Sequence, residues 1–446
     1  MPLNLAITDK DARRVELPWA DPGDVFAGFA GRTGSALLES QPGSGGRLSV
    51  ICVRPHSVLE GRNGAATLTS GSGKKSYDSI LQGLRYALRE VPPGTTAVGY
   101  LGYEVHDHLR DDPIPAPPPS EPPLPDCWIG FYESALVFDH VERRLTRHGS
   151  TDPFGLTDSP GPFLRRGWSS GRPASGFTRS EYREAVSRVK AYITAGDTYQ
   201  VNLSQRYAIP TDAPPWQTYL ALRERNPAPY AAYLNLGGAQ IVSSSPECFL
   251  TLDANTRRVE TRPIKGTRPR GTTSGLDRRL ADELLASDKD RAENVMIVDL
   301  ERNDLGRICE FGTVAVPNLF ALESHPTVHH LVSTITGRLR EDRDRVDLLE
   351  ACFPGGSITG APKIRAMEII AELEPVRRYV YCGAIGCMDC DGSMNLSIAI
   401  RTAVFKDGVC YLHVGGGIVA DSDPDMEYEE TLDKGRAFFE VLGCPQ

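Results

Sequence analysis

The rhythm of apolar and polar positions changes along the chain. Up to about residue 150, short runs such as "RLSVICV", "TTAVGYLGYEV" and "WIGFYESALVFD" are rich in β-branched and aromatic residues and bounded by turn formers. They predict a mostly antiparallel sheet with a few helices. "DDPIPAPPPSEPPLPD" (111–126) carries too many prolines for a helix or a central strand and reads as an extended surface connection. "TDPFGLTDSPGPFLRRGWSSGRPASG" (151–176) mixes Pro, Gly and Ser and reads as a linker. The organisation expected is a β-rich N-terminal region 1–150, a linker 151–176 and a second region 177–446.

Beyond the linker the periodicities sharpen. Thr178 and Glu181 have the spacing of a capping box, Tyr182, Ala185, Val186, Val189, Tyr192 and Ile193 recur at helical intervals, and Gly196 ends the helix. "TYQVNLSQRY" alternates as a strand, with Tyr199, Val201 and Leu203 on one face and Gln200, Asn202 and Ser204 on the other. Further strands are expected in "AAYLNLG", "AQIVSSS", "CFLTLD", "VYCGAIGCMD", "SMNLSIAIRTAVFKDG" and "VCYLHVGGGIV", and helices at 276–302, 326–335, 361–373 and 423–441. Hairpin-joined strands with interspersed helices indicate an α+β protein rather than a doubly wound parallel sheet.

Composition narrows the function classes. A chain of 446 residues with 40% apolar and 24% charged residues is an ordinary globular protein, long enough for two lobes or one composite domain. Its net charge of −9 argues against nucleic acid as a partner. No apolar run reaches the ~18–20 residues of a membrane span, and the N-terminus has no signal-peptide core, so the expectation is a cytoplasmic protein. The ten cysteines are irregularly spaced. Cys387 and Cys390 in "CMDCDG" lack the second pair a structural zinc would need, and Asp391-Gly392 reads as a hairpin turn.

Candidate chemistry gathers in the C-terminal half. In "KDRAENVMIVDLERNDLGR", Asp290 and Glu293 lie three apart on one helical face; in "SDPDMEYEETLDKGR", Glu427 and Glu430 do the same. Acids near a helix start also serve as dipole complements. Two such pairs converging would need a positive charge between them, and Mg²⁺, a hard cation that takes few carboxylates and keeps open positions, suits that role. "HVGGGIVADSD" could bring backbone N–H groups close to an anion or form a tight turn, and "CFPGGSITGAPKIRAMEII" could cradle an anion or begin a helix at Pro362. "TRPIKGTRPRG" (261–271) sets one lysine among three arginines. In isolation it reads as a solvated basic loop.

Together these blocks resemble the chorismate-utilising enzymes. The resemblance rests on "GDTYQVNLSQRY", "SSSPECFL", "RPIKGTRPRG", "ENVMIVDLERNDLGR", "VHHLVSTITG", "FPGGSITGAPKIRAMEIIAELEP", "YCGAIG", "SIAIRT" and "GGGIVADSDPDMEYEET". It covers 177–446 strongly and the N-terminal part more loosely. It implies a Mg²⁺-dependent fold of two antiparallel sheets packed face to face with helices outside. By the same resemblance, Glu293 and Glu430 are the principal carboxylates at Mg²⁺, with Glu427 and Asp290 nearby. Tyr381, Arg401 and the amides of Gly415, Gly416 and Gly417 hold the enolpyruvyl side of chorismate, and Lys434 adds positive charge. Glu247 is the acid that assists hydroxyl departure, His330 lies beside the ring, and Thr267 and Ser357 are hydroxyl contacts.

Two positions choose between branches of this family. The anthranilate-forming branch resembles "PIAGTRPRG" where this chain has Lys265, a residue that resembles the aminodeoxychorismate synthase branch. There a lysine amine would attack ring carbon 2 while the carbon-4 hydroxyl leaves, and ammonia would then enter at carbon 4 and expel the lysine. The amine must be neutral, so Lys265 is expected well below its ordinary value of about 10.4, through burial and the like charges of Arg262, Arg268, Arg270 and the metal. The isochorismate- and salicylate-forming relatives resemble "KV" at the "QV" of Gln200, where a lysine activates water; glutamine favours ammonia. No cysteine has the "GxCxG" setting of a glutamine amidotransferase, so that activity is expected on a separate partner chain. Rival readings are an anthranilate or 2-amino-2-deoxyisochorismate synthase, a salicylate-forming lyase, and a non-catalytic subunit that senses chorismate or tryptophan. "ALLESQPG" and "NPAPY" resemble the family's tryptophan pocket, which would put Leu37, Leu38, Glu39, Ser40 and Pro227 around tryptophan; packing between the sheets is the alternative.

Overall fold

The computed structural model describes residues 14–41, 43–109, 113–114, 117–149, 152–154 and 167–444. Two twelve-stranded sheets, antiparallel at every pairing, carry the chain, and each draws strands from before and after residue 177. In the first, the N-terminal strand Ala36–Glu39 pairs with Tyr230–Asn235, and the row continues to Val409–Ile418 and Gln200–Pro210. In the second, Thr96–Leu101 pairs with Ala384–Asp389, and the row runs out to Val328–Arg338 and Ile264–Pro269. The N-terminal region is therefore woven into the same sheets as the rest. The segment expected as a linker adds a two-residue strand, Ala174–Ser175, beside Gln200–Pro210. Its residues 151 and 155–166 lie outside the described residues.

The sheets meet face to face. Leu38, Val50 and Ile241 of the first interdigitate with Val98, Trp128 and Ile385 of the second in one buried cluster. Helices cover the outer faces. Ile80–Glu90, Asp288–Ile308 and Arg345–Cys352 lie on the second sheet, and Pro215–Arg225 and Pro424–Leu442 on the first. The Arg179–Ala195 helix begins with the expected capping box of Thr178 and Glu181 and ends at Gly196, whose φ of 84° suits glycine. Among the described residues no helix is long and apolar enough to cross a membrane. All ten cysteines are unpaired thiols; Cys387 lies within the strand Ala384–Asp389 and Cys390 in the turn that joins it to Met394–Ile398.

Three expected elements differ. Residues 326–335 belong to a strand, Val328–Arg338, not a helix: Val328, Val332, Thr334, Ile335 and Thr336 are β-branched, and the segment pairs with three other strands. The helix expected over 276–302 is two, Ser274–Ala286 and Asp288–Ile308, parted by Ser287, whose side chain accepts from Asp290 N at the start of the second. The run "SMNLSIAIRTAVFKDG" breaks at Arg401, which adopts φ 50°. Met394–Ile398 belongs to one sheet and Thr402–Lys406 to the other.

Candidate active site

Chain crossings between the sheets carry two of the expected site residues. Arg401 sits at the crossing just described. Glu247 sits at another, between Gln240–Ser245 of the first sheet and Cys248–Leu252 of the second. A residue at such a corner points along the gap between layers, where regular strand alternation would turn it inward or outward. Lys265 lies on the outermost strand of the second sheet, Ile264–Pro269.

Gly415, Gly416 and Gly417 stand opposite Ser204, Leu203 and Asn202 inside the strand Val409–Ile418. They are part of the ladder, as the strand expected in "VCYLHVGGGIV" requires, and do not form the tight turn that was the alternative. Their missing side chains make room for charge. A Cβ on Gly416 would lie 3.3 Å from both Glu430 Oε1 and Lys434 Nζ and 3.4 Å from Glu427 Oε2. One on Gly417 would lie 2.0 Å from Gln200 Nε2 and 3.0 Å from Glu293 Oε1. Glu427, Glu430 and Lys434 come from successive turns of one helix face, and Glu293 from the helix Asp288–Ile308.

Each acid has a defined partner. Glu293 Oε1 meets Lys265 Nζ at 2.9 Å and accepts from Gln200 Nε2 at 2.8 Å. Glu430 Oε1 pairs with Lys434 Nζ at 2.7 Å, and that amine also donates to Gly415 O at 2.8 Å. Lys434 first, and then Lys265 and Lys289, hold the Glu430 carboxyl below its ordinary value against the pull of burial. Glu427, buried and raised by burial, accepts from Ser422 Oγ at 2.5 Å. Asp290 has a partner of its own: its carboxylate takes Arg268 Nη2 at 3.1 Å beside Gly266.

Among the described residues no three His, Cys, Asp or Glu side chains form a ready metal cluster. The chemistry of the donors still fits a hard divalent ion. Glu293, Glu427 and Glu430 offer carboxylate oxygens around one glycine-lined hollow, and Lys265 and Lys434 occupy the charge that such an ion would balance.

Burial works against the charge on Lys265, but Glu293, Glu247 and Glu430 outweigh it, and the amine lies above its ordinary value. The expectation of a depressed value through neighbouring arginines is thus corrected for the protein's own side chains. Arg262 pairs with Glu323, Arg268 with Glu283 and Asp290, and Arg270 with Asp277. Each arginine spends its charge on its own carboxylate, and Lys265 faces acids.

Glu247 is buried, and burial raises its carboxyl above the ordinary range while Ser357, Lys265 and the Ile264 N–H pull it back. His330 stands opposite Thr267 and its Nδ1 lies 2.9 Å from Thr267 Oγ1. Burial first, then His325 and Arg401, push His330 down to about 3, so its ring is neutral near pH 7. Burial draws Arg401 down, and nearby Tyr381 and Glu430 oppose it. The Tyr381 ring stacks on His413 with centroids 5.2 Å apart. Tyr381, Arg401, Lys434, Glu430, Lys265 and Glu247 therefore form one connected neighbourhood. The sequence reading did not foresee Gln200 as a partner of Glu293, or Ser422 as the partner of Glu427. The only signal for Ser422 was its place just before the helix cap, Asp423.

The residues expected around tryptophan divide. Leu38 lies in the core between the sheets, and Leu37 in the core on the outer face. Glu39 is fully buried and consumed by Tyr219 Oη at 2.6 Å and Arg223 Nε at 2.9 Å. Ser40 Oγ donates to Pro229 O at 3.2 Å, and Pro227 is half-buried. Nearby, Ser44, Pro229, Tyr230, Arg262 and His325 border a cavity of about 440 Å³.

A family profile described as chorismate binding enzyme matches residues 34–440. The chain belongs to that family. Aminodeoxychorismate synthase component 1 of Salmonella typhimurium is 46% identical over 347 residues, spanning 76% of this chain and 74% of that protein. Anthranilate synthase component 1 of Streptomyces coelicolor is 41% identical over 452 residues, spanning 94% and 86%. Among solved structures, anthranilate synthase component I from Streptococcus pneumoniae superposes with a TM-score of 0.74 at 32% identity, covering 90% of this chain and 93% of that one. The menaquinone-specific isochorismate synthase of Escherichia coli shares the fold, with a TM-score of 0.76 at 17% identity over 97% and 94%. Proteins named for different reactions thus share this fold, and the side chains at the site must separate them.

Proposed function

We propose that the chain aminates chorismate at carbon 4 to give 4-amino-4-deoxychorismate, with ammonia delivered by a separate glutamine amidotransferase. The observation that carries this reading is the placement of Lys265, its amine 2.9 Å from Glu293 and within the field of Glu247 and Glu430. Glu293, Glu427 and Glu430 would hold Mg²⁺, which supplies positive charge for the ring carboxylate. Arg401, Tyr381 and Lys434 orient the enolpyruvyl group.

Lys265, held charged by its acids in the resting site, releases its ammonium proton to solvent and regains one after turnover. The neutral amine adds to carbon 2, the ring double bonds shift, and the carbon-4 C–O bond breaks. The protonated Glu247 carboxyl gives its proton to the departing hydroxyl, which leaves as water. Ammonia then adds at carbon 4, the electrons shift back and the lysine nitrogen leaves. The surplus proton on the new amine returns to Glu247, so the sum is chorismate plus ammonia giving the amino product plus water. Gln200 supports ammonia over water. It offers no base to activate a water molecule.

Amination at carbon 2 is the competing reading, and the Streptomyces coelicolor relative speaks for it. The test is to incubate the protein with chorismate, Mg²⁺ and ammonium, with and without glutamine plus an amidotransferase, and to identify the product by mass and retention. 4-Amino-4-deoxychorismate is the expected product, and anthranilate overturns the assignment.

A further inference from the structure

One ion pair touches none of the carboxylates or amines described so far, yet reaches three segments whose side chains, Gln200, Ser357 and Tyr381, adjoin the site's charged groups. Arg378 and Glu374 have side chains only 1% and 3% exposed. Arg378 Nε and Nη2 donate to the two carboxylate oxygens at 2.8 and 2.6 Å, a forked contact. Withdrawing two charges from water is costly, and an apolar pair of similar size often serves stability as well. The other bonds of the pair show what it does in addition.

Arg378 Nη2 also donates to Asn202 O at 2.6 Å, and Nη1 to Ile358 O at 3.1 Å. Glu374 Oε1 accepts from both the N and the Oγ of Ser204 at 2.8 Å. The guanidinium lies 5.7 Å from the centre of the Tyr381 ring. Asn202 is two residues from Gln200, which holds Glu293, and Ile358 follows Ser357, which attends Glu247. Asn202 N donates to Thr359 O at 2.8 Å, which ties the strand to the turn.

We infer that Arg378 and Glu374 are a positioning pair, which fixes the Gln200–Pro210 strand, the Gly356–Ile358 turn and Tyr381 in one register so that Glu293 and Glu247 address the same bound substrate. Neither residue touches the reacting atoms. Arginine is required because a planar fork reaches a carboxylate and two carbonyls in different directions at once, and a lysine ammonium on its flexible stem does not. The inference rests on the site reading above, but not on which ring carbon is aminated.

The test is Arg378→Lys, which keeps the charge and loses the fork. Chorismate consumption is measured whichever product forms, and backbone hydrogen exchange is followed by mass spectrometry. The expected result is a fall in kcat of about 10- to 100-fold with KM for chorismate within about threefold. Exchange should rise in 200–204 and 356–359 and stay as in the wild type in the distant helix Ile80–Glu90. A folded variant with wild-type kcat and exchange overturns the inference, as does exchange that rises uniformly with kcat per folded molecule unchanged. If Arg378→Lys does not fold, Ser204→Ala removes the Oγ hydrogen bond to Glu374, keeps the backbone N–H one and leaves the pair. It should give the same local exchange pattern with a smaller fall in kcat, and wild-type behaviour there overturns the inference. A wild-type protein that yields anthranilate defeats the carbon-4 reading alone, and a wild type without turnover still leaves the exchange comparison decisive.

Discussion

Lys265 and Gln200 converge on a single oxygen, Glu293 Oε1, at 2.9 and 2.8 Å. The residue assigned to bond with the ring and the residue assigned to ammonia are thereby set side by side by one carboxylate. Replacing Lys265 by alanine should lower carbon-4 product formation by about two orders of magnitude or more. Chorismate affinity, measured by calorimetry, should stay near the wild-type value. An equal loss of affinity would make the lysine a holder of substrate only.

Glu430 is ion-paired to Lys434 through Oε1, and its side chain is half-exposed. Glu430→Gln keeps the shape and removes the charge. The Mg²⁺ concentration giving half-maximal activity, titrated after treatment with a chelator, should rise about tenfold or more. An unchanged titration would take Glu430 out of the metal site.

Gly417 has the least room of the three glycines. A methyl group there would come within 2.0 Å of Gln200 Nε2 and 3.0 Å of Glu293 Oε1. Gly417→Ala should therefore fold, since Gln200 can swing away, but lose most activity as Glu293 loses one of its two partners. Thermal unfolding and chorismate turnover measured on one preparation check both halves of this expectation, and wild-type turnover would refute it.

Glu301, which feels the site residue Glu247, supplies a pH prediction. Burial, and then the charge of Glu247, push its carboxyl up to about 8, while Thr261 Oγ1 donates to it at 2.9 Å. Its folded value lies above its unfolded value of 4.5. The stability it contributes is therefore complete below about pH 4.5 and is lost as pH rises toward 8, at up to ~1.4 kcal/mol per pH unit. Glu301→Gln keeps an acceptor for Thr261 and has no proton to lose. Between pH 5 and 8 the wild type should lose melting temperature relative to the variant, and parallel curves would disprove the titration. Asp389 and Glu104, both raised to about 7 by burial, titrate alike in the two proteins and cancel in the comparison.

Much of this molecule could be read from its residues. The capping box at Thr178 and the hairpin at Asp391-Gly392 carry short-range signals, and the structure places them as those signals indicate. The failures are long-range. The strand around His330 looked helical because its role depends on three partners remote in sequence. The arginines near Lys265 looked like its electrostatic surroundings because proximity in sequence hides where each side chain points. Arg401 and Glu247 became distinctive only at the crossings between layers, which no local pattern announces.

Leu101 pairs with Ala384 near the middle of the second sheet, and that register has a temporal side. At ribosomal speeds of about 5–20 residues per second, the roughly 280 residues between them take some 15 to 60 s to emerge. Throughout that interval Thr96–Leu101, an all-buried strand in the finished protein, has one bare edge. Synthesis of this enzyme thus imposes a waiting period in which a nascent apolar ribbon must be shielded, and production in cells should respond to chaperone supply far more than equilibrium stability would suggest.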